Sequence, residues 1–301
     1  MPEALPRRVL MDASLYVFRA YHSRAPDWHD HQGEPTHAVH GFVSTLFSLL
    51  ERSKPSHIAV CFDGSLNASF RNEIDPSYKA NRERPDANLL LQFDYCRRFS
   101  AALGLRALID SRYEADDLIA TLAATSRADD LGVLVISADK DLGQVIGPKD
   151  RQWDFTKGEP YGPDGVFKRS GVRPDQVADL LALTGDPVDN IKGIAGIGPK
   201  TAAQLLAHFG TLEQLIARAG EVPFLRSVRG AQTLLPKLRS GFVAARLARQ
   251  LTLLAEDAPV PLWSELVPGR VDQHAFDCLC DAAGFGQLLR ARARRWSDAN
   301  S

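Results

Sequence analysis

Val133-Leu-Val-Ile-Ser-Ala-Asp139-Lys140-Asp141 places a short apolar, largely β-branched run directly before two acids. Such a run, bounded by polar sequence, reads as a strand buried on both faces. Two upstream stretches follow the same grammar: Val9-Leu10-Met11 ends on Asp12, and Ile58-Ala-Val-Cys-Phe62 ends on Asp63. Helix-length sequence separates the three, notably 38–52 and 89–103, and that alternation predicts an α/β fold with a mostly parallel sheet and flanking helices. Ligands of open α/β sheets bind at the carboxyl ends of the strands, so the three terminal acids are expected on one rim.

Beyond about residue 170 the strand signals cease, and helical spacing punctuated by Gly and Pro takes over at 174–183, 200–209, 212–219, 241–253 and 273–296. The organisation expected is an α/β unit over 1–170, a helical unit over 171–265 and a C-terminal helical tail over 266–301. The 301 residues are 45% hydrophobic and 24% charged, enough for a substantial core and against disorder. Lys and Arg number 36 against 37 Asp and Glu, a formal charge of −1, so any grip on a polyanion must come from local segregation of charge. No signal peptide or membrane-length apolar run is present, and Cys61, Cys96, Cys278 and Cys280 form no C-x-x-C pair. A cytoplasmic protein with reduced thiols and no membrane partner is expected.

Two further acidic stretches join the strand-end acids. Glu114-Ala-Asp116-Asp117 precedes the apolar run 118–122, where acids either cap a helix or serve chemistry. Asp186-Pro-Val-Asp189-Asn190 is either an Asx-type turn or part of the same cluster. Two carboxylates about 4 Å apart repel by about 4 kcal/mol at an effective dielectric near 20, so a rim that gathers Asp12, Asp63, Asp139, Asp141 and these acids needs protons or cations. All-oxygen ligation suits Mg²⁺ or Mn²⁺, and no zinc-spaced His or Cys cluster competes. Two such ions are the usual apparatus of phosphodiester hydrolysis. Gly193-Ile-Ala-Gly196-Ile197-Gly198-Pro199-Lys200-Thr201 fails the P-loop pattern, so no nucleotide cofactor is expected and hydrolase outranks transferase.

The same glycines read either as a plain turn or as the hairpin of a helix-hairpin-helix that offers amides and a helix N-terminus to phosphate, with Lys200 favouring the second. Arg218, Arg226, Arg229, Lys237, Arg239, Arg246 and Arg249 have only Glu221 as a counter-charge within their own stretch, a pattern suited to a duplex backbone. Between the second and third runs, Arg71, Tyr78, Lys79 and Arg82 mix bases with an aromatic, as a single-strand channel does; Tyr78 either stacks on a base or packs on the core. If that segment is helical, Lys79 and Arg82 share a face.

Taken together and in order, Leu10-Met-Asp-Ala-Ser14, Phe18-Arg-Ala-Tyr-His22, 33–41, Val60-Cys-Phe-Asp63, Phe70-Arg71, Tyr78-Lys79, Tyr113 to Asp117, Ser137 to Asp141 and 183–202 strongly resemble the 5′-nuclease domain of bacterial DNA polymerase I, within the flap endonuclease superfamily. The likeness runs from about residue 8 to 289. It implies a PIN- and flap-nuclease-like fold with a helix-hairpin-helix unit, and a Mg²⁺- or Mn²⁺-dependent 5′→3′ exonuclease and 5′-flap endonuclease acting on flapped, nicked or gapped DNA in replication or repair. It implies a metal cluster of Asp12, Asp63, Glu114, Asp116, Asp117, Asp139, Asp141, Asp186 and Asp189. Lys79 corresponds to the cation that stabilises the scissile phosphate, and Arg82 to its neighbour on a helical arch. Arg19, Tyr21 and His22 correspond to the substrate entry, and Arg71, Tyr78 and the hairpin 196–201 to DNA contacts. The carbonyls of Leu183, Thr184, Lys192, Ile194 and Ile197 correspond to a K⁺ site. Relatives commonly follow the arch lysine with Arg-Pro-Pro, whereas Arg82-Glu-Arg84-Pro-Asp86 adds acids here. A free-standing nuclease or an excised domain, monomeric in either case, is the expectation.

Overall fold

The run Val9-Leu-Met becomes β1 (Arg8–Asp12), whose last four residues are buried as a central parallel strand requires. The computed structural model describes residues 5–64 and 69–299. After β1 come α1 (Ala13–Ser23), α2 (His37–Ser53), β2 (His57–Asp63), α3 (Arg71–Ile74), α4 (Ala87–Ala102), β3 (Arg106–Asp110), α5 (Ala115–Ala128), β4 (Val133–Ile136), β5 (Arg151–Trp153) and α6 (Pro163–Ser170). All five strands run parallel, in the order β3-β2-β1-β4-β5. With β1 central and the connections departing to both sides, the carboxyl ends of β1 and β4 border a topological switch point.

Alternation along the strands divides two apolar layers. Val9, Met11, Val60, Phe62 and Ile136 join the layer formed with α1, α2 and α4, while Leu10, Ala59, Cys61 and Val135 join the layer formed with α5 and the helices that follow. The sequence reading missed β3 and β5, and both are edges. β3 begins on an exposed Arg106 and leaves Ile109 exposed, and β5 has only three residues, so neither carries the apolar signature of a strand buried on both faces.

The helical part comprises α7 (Val177–Thr184), a two-residue antiparallel pair β6 (Gly185–Asp186) and β7 (Ile191–Lys192), α8 (Pro199–Phe209), α9 (Leu212–Ala217) and α10 (Leu234–Thr252). The small β6–β7 pair corrects the expectation that no strand follows residue 170. α10 starts at Leu234 rather than near 241, and it tolerates Pro236 because the first amides of a helix need no intrahelical acceptor.

The predicted helical run 273–296 is two helices, α11 (Gln273–Ala282) and α12 (Gln287–Ala299), broken where Gly284 takes φ +73°. A Cβ there would stand 2.1 Å from the His29 carbonyl oxygen, so only glycine fits. This C-terminal segment folds back on the α/β part: Phe276 meets Phe47 and Phe99 edge-on, with ring centres 5.9 and 5.1 Å apart.

Candidate active site

Seven carboxylates from five places in the chain open onto one cleft of about 270 Å³ at the carboxyl rim of the sheet: Asp12, Asp63, Glu114, Asp116, Asp139, Asp141 and Asp189. Each is placed by its local backbone. Asp12 ends β1 and caps α1, accepting the Leu15 N–H at 3.1 Å and the Ser137 hydroxyl at 2.7 Å. Asp63 ends β2 and accepts the Ala115 N–H at the start of α5. Glu114 is the cap residue of α5 and Asp116 lies in its first turn. Asp139 and Asp141 follow β4, joined by an Asx turn in which the Asp141 N–H donates to Asp139 Oδ1 at 2.8 Å. Asp189 sits in the turn between β6 and β7.

Burial, reinforced by the other acids, pushes most of these groups toward the neutral form. Asp12 rises to about 7, from burial and then Asp63, and Asp141 to about 8, from burial and then Asp139. Asp116 is raised well above the usual carboxylate range, and Asp63 and Asp139 are raised as well. Glu114 goes the other way: burial opposes ionisation, but Lys79 and Arg71 outweigh it. Lys79 Nζ donates to Glu114 Oε1 at 2.6 Å, and the acids around Lys79 hold its pKa up against the effect of burial.

The donor set fits a hard divalent cation. Every titratable acid on the cleft offers oxygen, no His or Cys side chain lines it, and among the described residues Asp141 Oδ1 is buried without a hydrogen-bond partner. As they stand, no three His, Cys, Asp or Glu side chains among the described residues form a closed metal cage. Repulsion among unneutralised carboxylates opposes such closure.

Three of the expected residues are held by partners within the fold. Asp117 is fully buried and both its oxygens are taken: Arg71 donates to them at 2.8 Å each, and the Glu114 and Ala255 N–H groups at 3.0 and 2.9 Å. It does not line the cleft. Arg71, expected on DNA, is 1% exposed and is the counter-ion of Asp117 and Glu114. Tyr78, expected either to stack on a base or to pack on the core, is 4% exposed, packs on the core, donates to Glu114 Oε2 at 3.0 Å and lines the cleft wall. Asp186 is buried just off the cleft wall, accepts the Val188 N–H and lies 4.0 Å from Lys140 Nζ.

Lys79 and Arg82 do meet at the cleft, though not on a helix. Residues 76–81 form turns, and Lys79 adopts φ +54°, a strained conformation for a side-chain-bearing residue, held by its N–H donating to the Asp189 carbonyl at 3.0 Å. Arg82 pairs with the Asp189 carboxylate. Of the expected entry residues, Arg19 is bound to Asp154 at 2.7 Å, the Tyr21 hydroxyl donates to Asp86 at 2.8 Å, and His22 is exposed at the end of α1.

Leu183 and Thr184 end α7, and Lys192, Ile194 and Ile197 lie in the hairpin that joins it to α8, where the Ile194 N–H donates to Leu183 O and the Ile197 N–H to Ile194 O. Gly196 takes φ +80°, Gly198 caps α8, and Gly196, Gly198, Pro199 and Lys200 are exposed while Ile197 packs inward. Thr201 is half-buried in the first turn of α8, and Lys237 of α10 brings its Nζ to 3.3 Å from where a Cβ on Gly196 would stand. Of the seven expected cations, Arg218 pairs with Glu221, but Arg246 pairs with Glu213 and Arg249 with Asp179, acids that lie earlier in the chain. Arg226, Arg229, Lys237 and Arg239 have no acidic partner among the described residues. Sequence reasoning also missed Ser14 and Ser137, which orient Asp63 and Asp12, and Gln144 and Gln152, which bind the loop of Asp139 and Asp141.

Comparison with known proteins matches residues 7–171 to the family model of the 5′-3′ exonuclease N-terminal resolvase-like domain, and residues 172–273 to that of the 5′-3′ exonuclease C-terminal SAM fold. DNA polymerase I of Rhizobium leguminosarum is 39% identical over 260 residues, which is 84% of this chain and 25% of the relative. DNA polymerase I of Pseudomonas aeruginosa is 38% identical over 293 residues, 97% of this chain and 32% of the relative. The chain thus spans about a quarter to a third of the length of these curated relatives. Among solved structures, T5 5′-exonuclease with bound divalent metal ions superposes with a TM-score of 0.65 at 22% identity, covering 98% of this chain and 99% of that one. The catalytic core of Rad2 in complex with DNA substrate superposes at 0.62 with 15% identity, covering 99% and 93%. At these identities the structural likeness establishes the fold.

Proposed function

The chain belongs to the 5′-3′ exonuclease family, and from that membership we propose that it hydrolyses DNA phosphodiester bonds as a divalent-cation-dependent 5′→3′ exonuclease and 5′-flap endonuclease in replication or repair. The observation that carries the reading is the convergence of seven carboxylates, most of them pushed toward neutrality, on a cleft that also holds Lys79. Asp12, Asp63, Asp116, Asp139, Asp141 and Asp189 would hold Mg²⁺ or Mn²⁺, with Asp186 behind them. Two such ions supply activation of the attacking water and stabilisation of the leaving oxygen.

The chain's own side chains do the rest. Glu114 and the strained backbone at residue 79 hold the Lys79 ammonium over the cleft, already desolvated, where it offsets charge developing on the scissile phosphate. Arg82, partly exposed on Asp189, is placed to take the neighbouring phosphate. The amides of the 196–201 hairpin and the N-terminus of α8 would bind duplex phosphate, joined by Lys200 and Lys237. The carbonyls of Leu183, Thr184, Lys192, Ile194 and Ile197 would share a K⁺ ion. The partner is flapped, nicked or gapped DNA bound by a monomer; no helix among the described residues is long and apolar enough to cross a membrane.

The test is digestion of matched 5′-flap, nicked, blunt and single-stranded DNA with Mg²⁺ or Mn²⁺. Cutting of flap and nicked substrates that ends on chelation supports the reading. Absence of divalent-dependent cutting on all four, or equal cutting of single strands without a duplex, rejects it.

A further inference from the structure

From the last turn of α10 the chain runs as a strap along the wall of the acid cleft, and side chains take most of the polar groups of its backbone. Arg71 donates to the carbonyls of Leu251 and Leu253 at 2.7 and 3.3 Å. Gln144 binds the residue between and the one after: its Nε2 donates to Thr252 O at 3.1 Å and its Oε1 accepts the Leu254 N–H at 3.1 Å. The other Nε2 proton goes to the carbonyl of Asp141 at 3.0 Å. One half-buried amide therefore ties an acid of the cleft to the end of α10, with both donors and an acceptor used.

What lies at the other end of α10 gives the tie its meaning. The helix has 19 residues, a rod of about 28 Å at 1.5 Å per residue, and Lys237 near its start reaches the hairpin glycines. A duplex gripped at the hairpin is therefore measured against the acids by this rod. Successive nucleotides are about 3.4 Å apart along a strand axis, so a slip of that size at the strap moves the scissile bond by one position.

We propose that Gln144 is a positioning residue that fixes where the cut falls, by locking the strap at the end of α10 to the loop carrying Asp139 and Asp141; this rests on reading the cleft as the nuclease centre. The sequence gives no hint of it, because a glutamine that binds three backbone groups leaves no pattern of spacing.

Gln144→Met keeps the side-chain bulk and removes all three hydrogen bonds. The measurements are product positions at single-nucleotide resolution on an end-labelled 5′-flap duplex, and Mn²⁺ affinity of the DNA-free protein by calorimetry, both below the unfolding temperature of the variant. The expected result is a single cut position spreading to its neighbours, with Mn²⁺ binding weakened about tenfold. If Gln144→Met does not fold, Gln144→Glu, which keeps the acceptor for Leu254, is expected to show the same spreading. An unchanged cut position with unchanged Mn²⁺ affinity, even at a lower Tm, overturns the proposal. Wild-type protein that neither takes up Mn²⁺ nor cuts would instead overturn the nuclease reading beneath it.

Discussion

Asp116 and Asp117 are neighbours in the first turn of α5, and the fold treats them in opposite ways. Asp117 faces inward, fully buried, and is matched by the Arg71 guanidinium and two backbone amides. Asp116 faces the cleft, where Asp12, Asp139 and Asp63 add to burial in raising its pKa. The first is a charge solved within the structure. The second is left for something else to solve, and that asymmetry separates a fastening from a reactive site.

The sharpest way to break the comparison is to neutralise each acid in turn. Asp116→Asn is expected to lower divalent-dependent cleavage by about 10³-fold or more, a barrier increase of about 4 kcal/mol, while the metal-free Tm holds or rises because a repulsion has gone. Asp117→Ala should do the reverse in kind, lowering stability by about 3–5 kcal/mol because it leaves the buried Arg71 charge only its longer contact with Glu114. Single-turnover kinetics and denaturant unfolding read the two effects separately. Comparable loss of stability in both variants would erase the distinction. Arg71→Met tests the same fastening from its partner and is expected to destabilise by a similar amount, since it leaves Asp117 unpaired and frees the carbonyls of Leu251 and Leu253.

Removing the cation should expose the crowding through pH. Asp12 and Asp141 have folded-state pKa values of about 7 and 8, above the ordinary 3.8. Their contribution to stability is complete below the ordinary value and is lost as pH rises through 7 and 8. His40 and His57, whose pKa values are lowered first by burial, act the opposite way below about 6.5. Between about pH 6.5 and 8.5 the metal-free Tm is therefore expected to fall, and saturating Mg²⁺ should flatten that slope. A flat metal-free profile across this window would show that the acids are not in conflict.

The difference between the two acids also explains what sequence could and could not reveal. Asp12, Asp63 and Asp139 were legible because a strand buried on both faces must be apolar and so advertises the acid at its end. Asp116-Asp117 reads identically as cap or ligand until Arg71 is seen, 46 positions away in sequence, coming back against one of them. Arg71 and Tyr78 sit in a polar stretch whose local pattern leaves their burial open; it follows from contacts with Asp117 and the end of α10 for Arg71 and with Glu114 and Asp189 for Tyr78, long-range events with no local periodicity. In the cationic run the partners of Arg246 and Arg249 were hidden for the same reason, because Glu213 and Asp179 reach them across the fold. The strap pinned by Gln144 depends on backbone acceptors, which every residue has.

The smallest expected effect lies at the hairpin, the region least like the cleft. Its cations are exposed, so no burial sharpens them, and each is screened by salt. Lys200→Ala and Lys237→Ala are each expected to weaken duplex binding without changing the cut position, and to reduce the slope of log affinity against log salt by about one unit. The hairpin amides and the α8 N-terminus remain in both variants, so binding should persist at low salt. Affinity measured across a salt series checks this: an unchanged slope would take both lysines off the DNA.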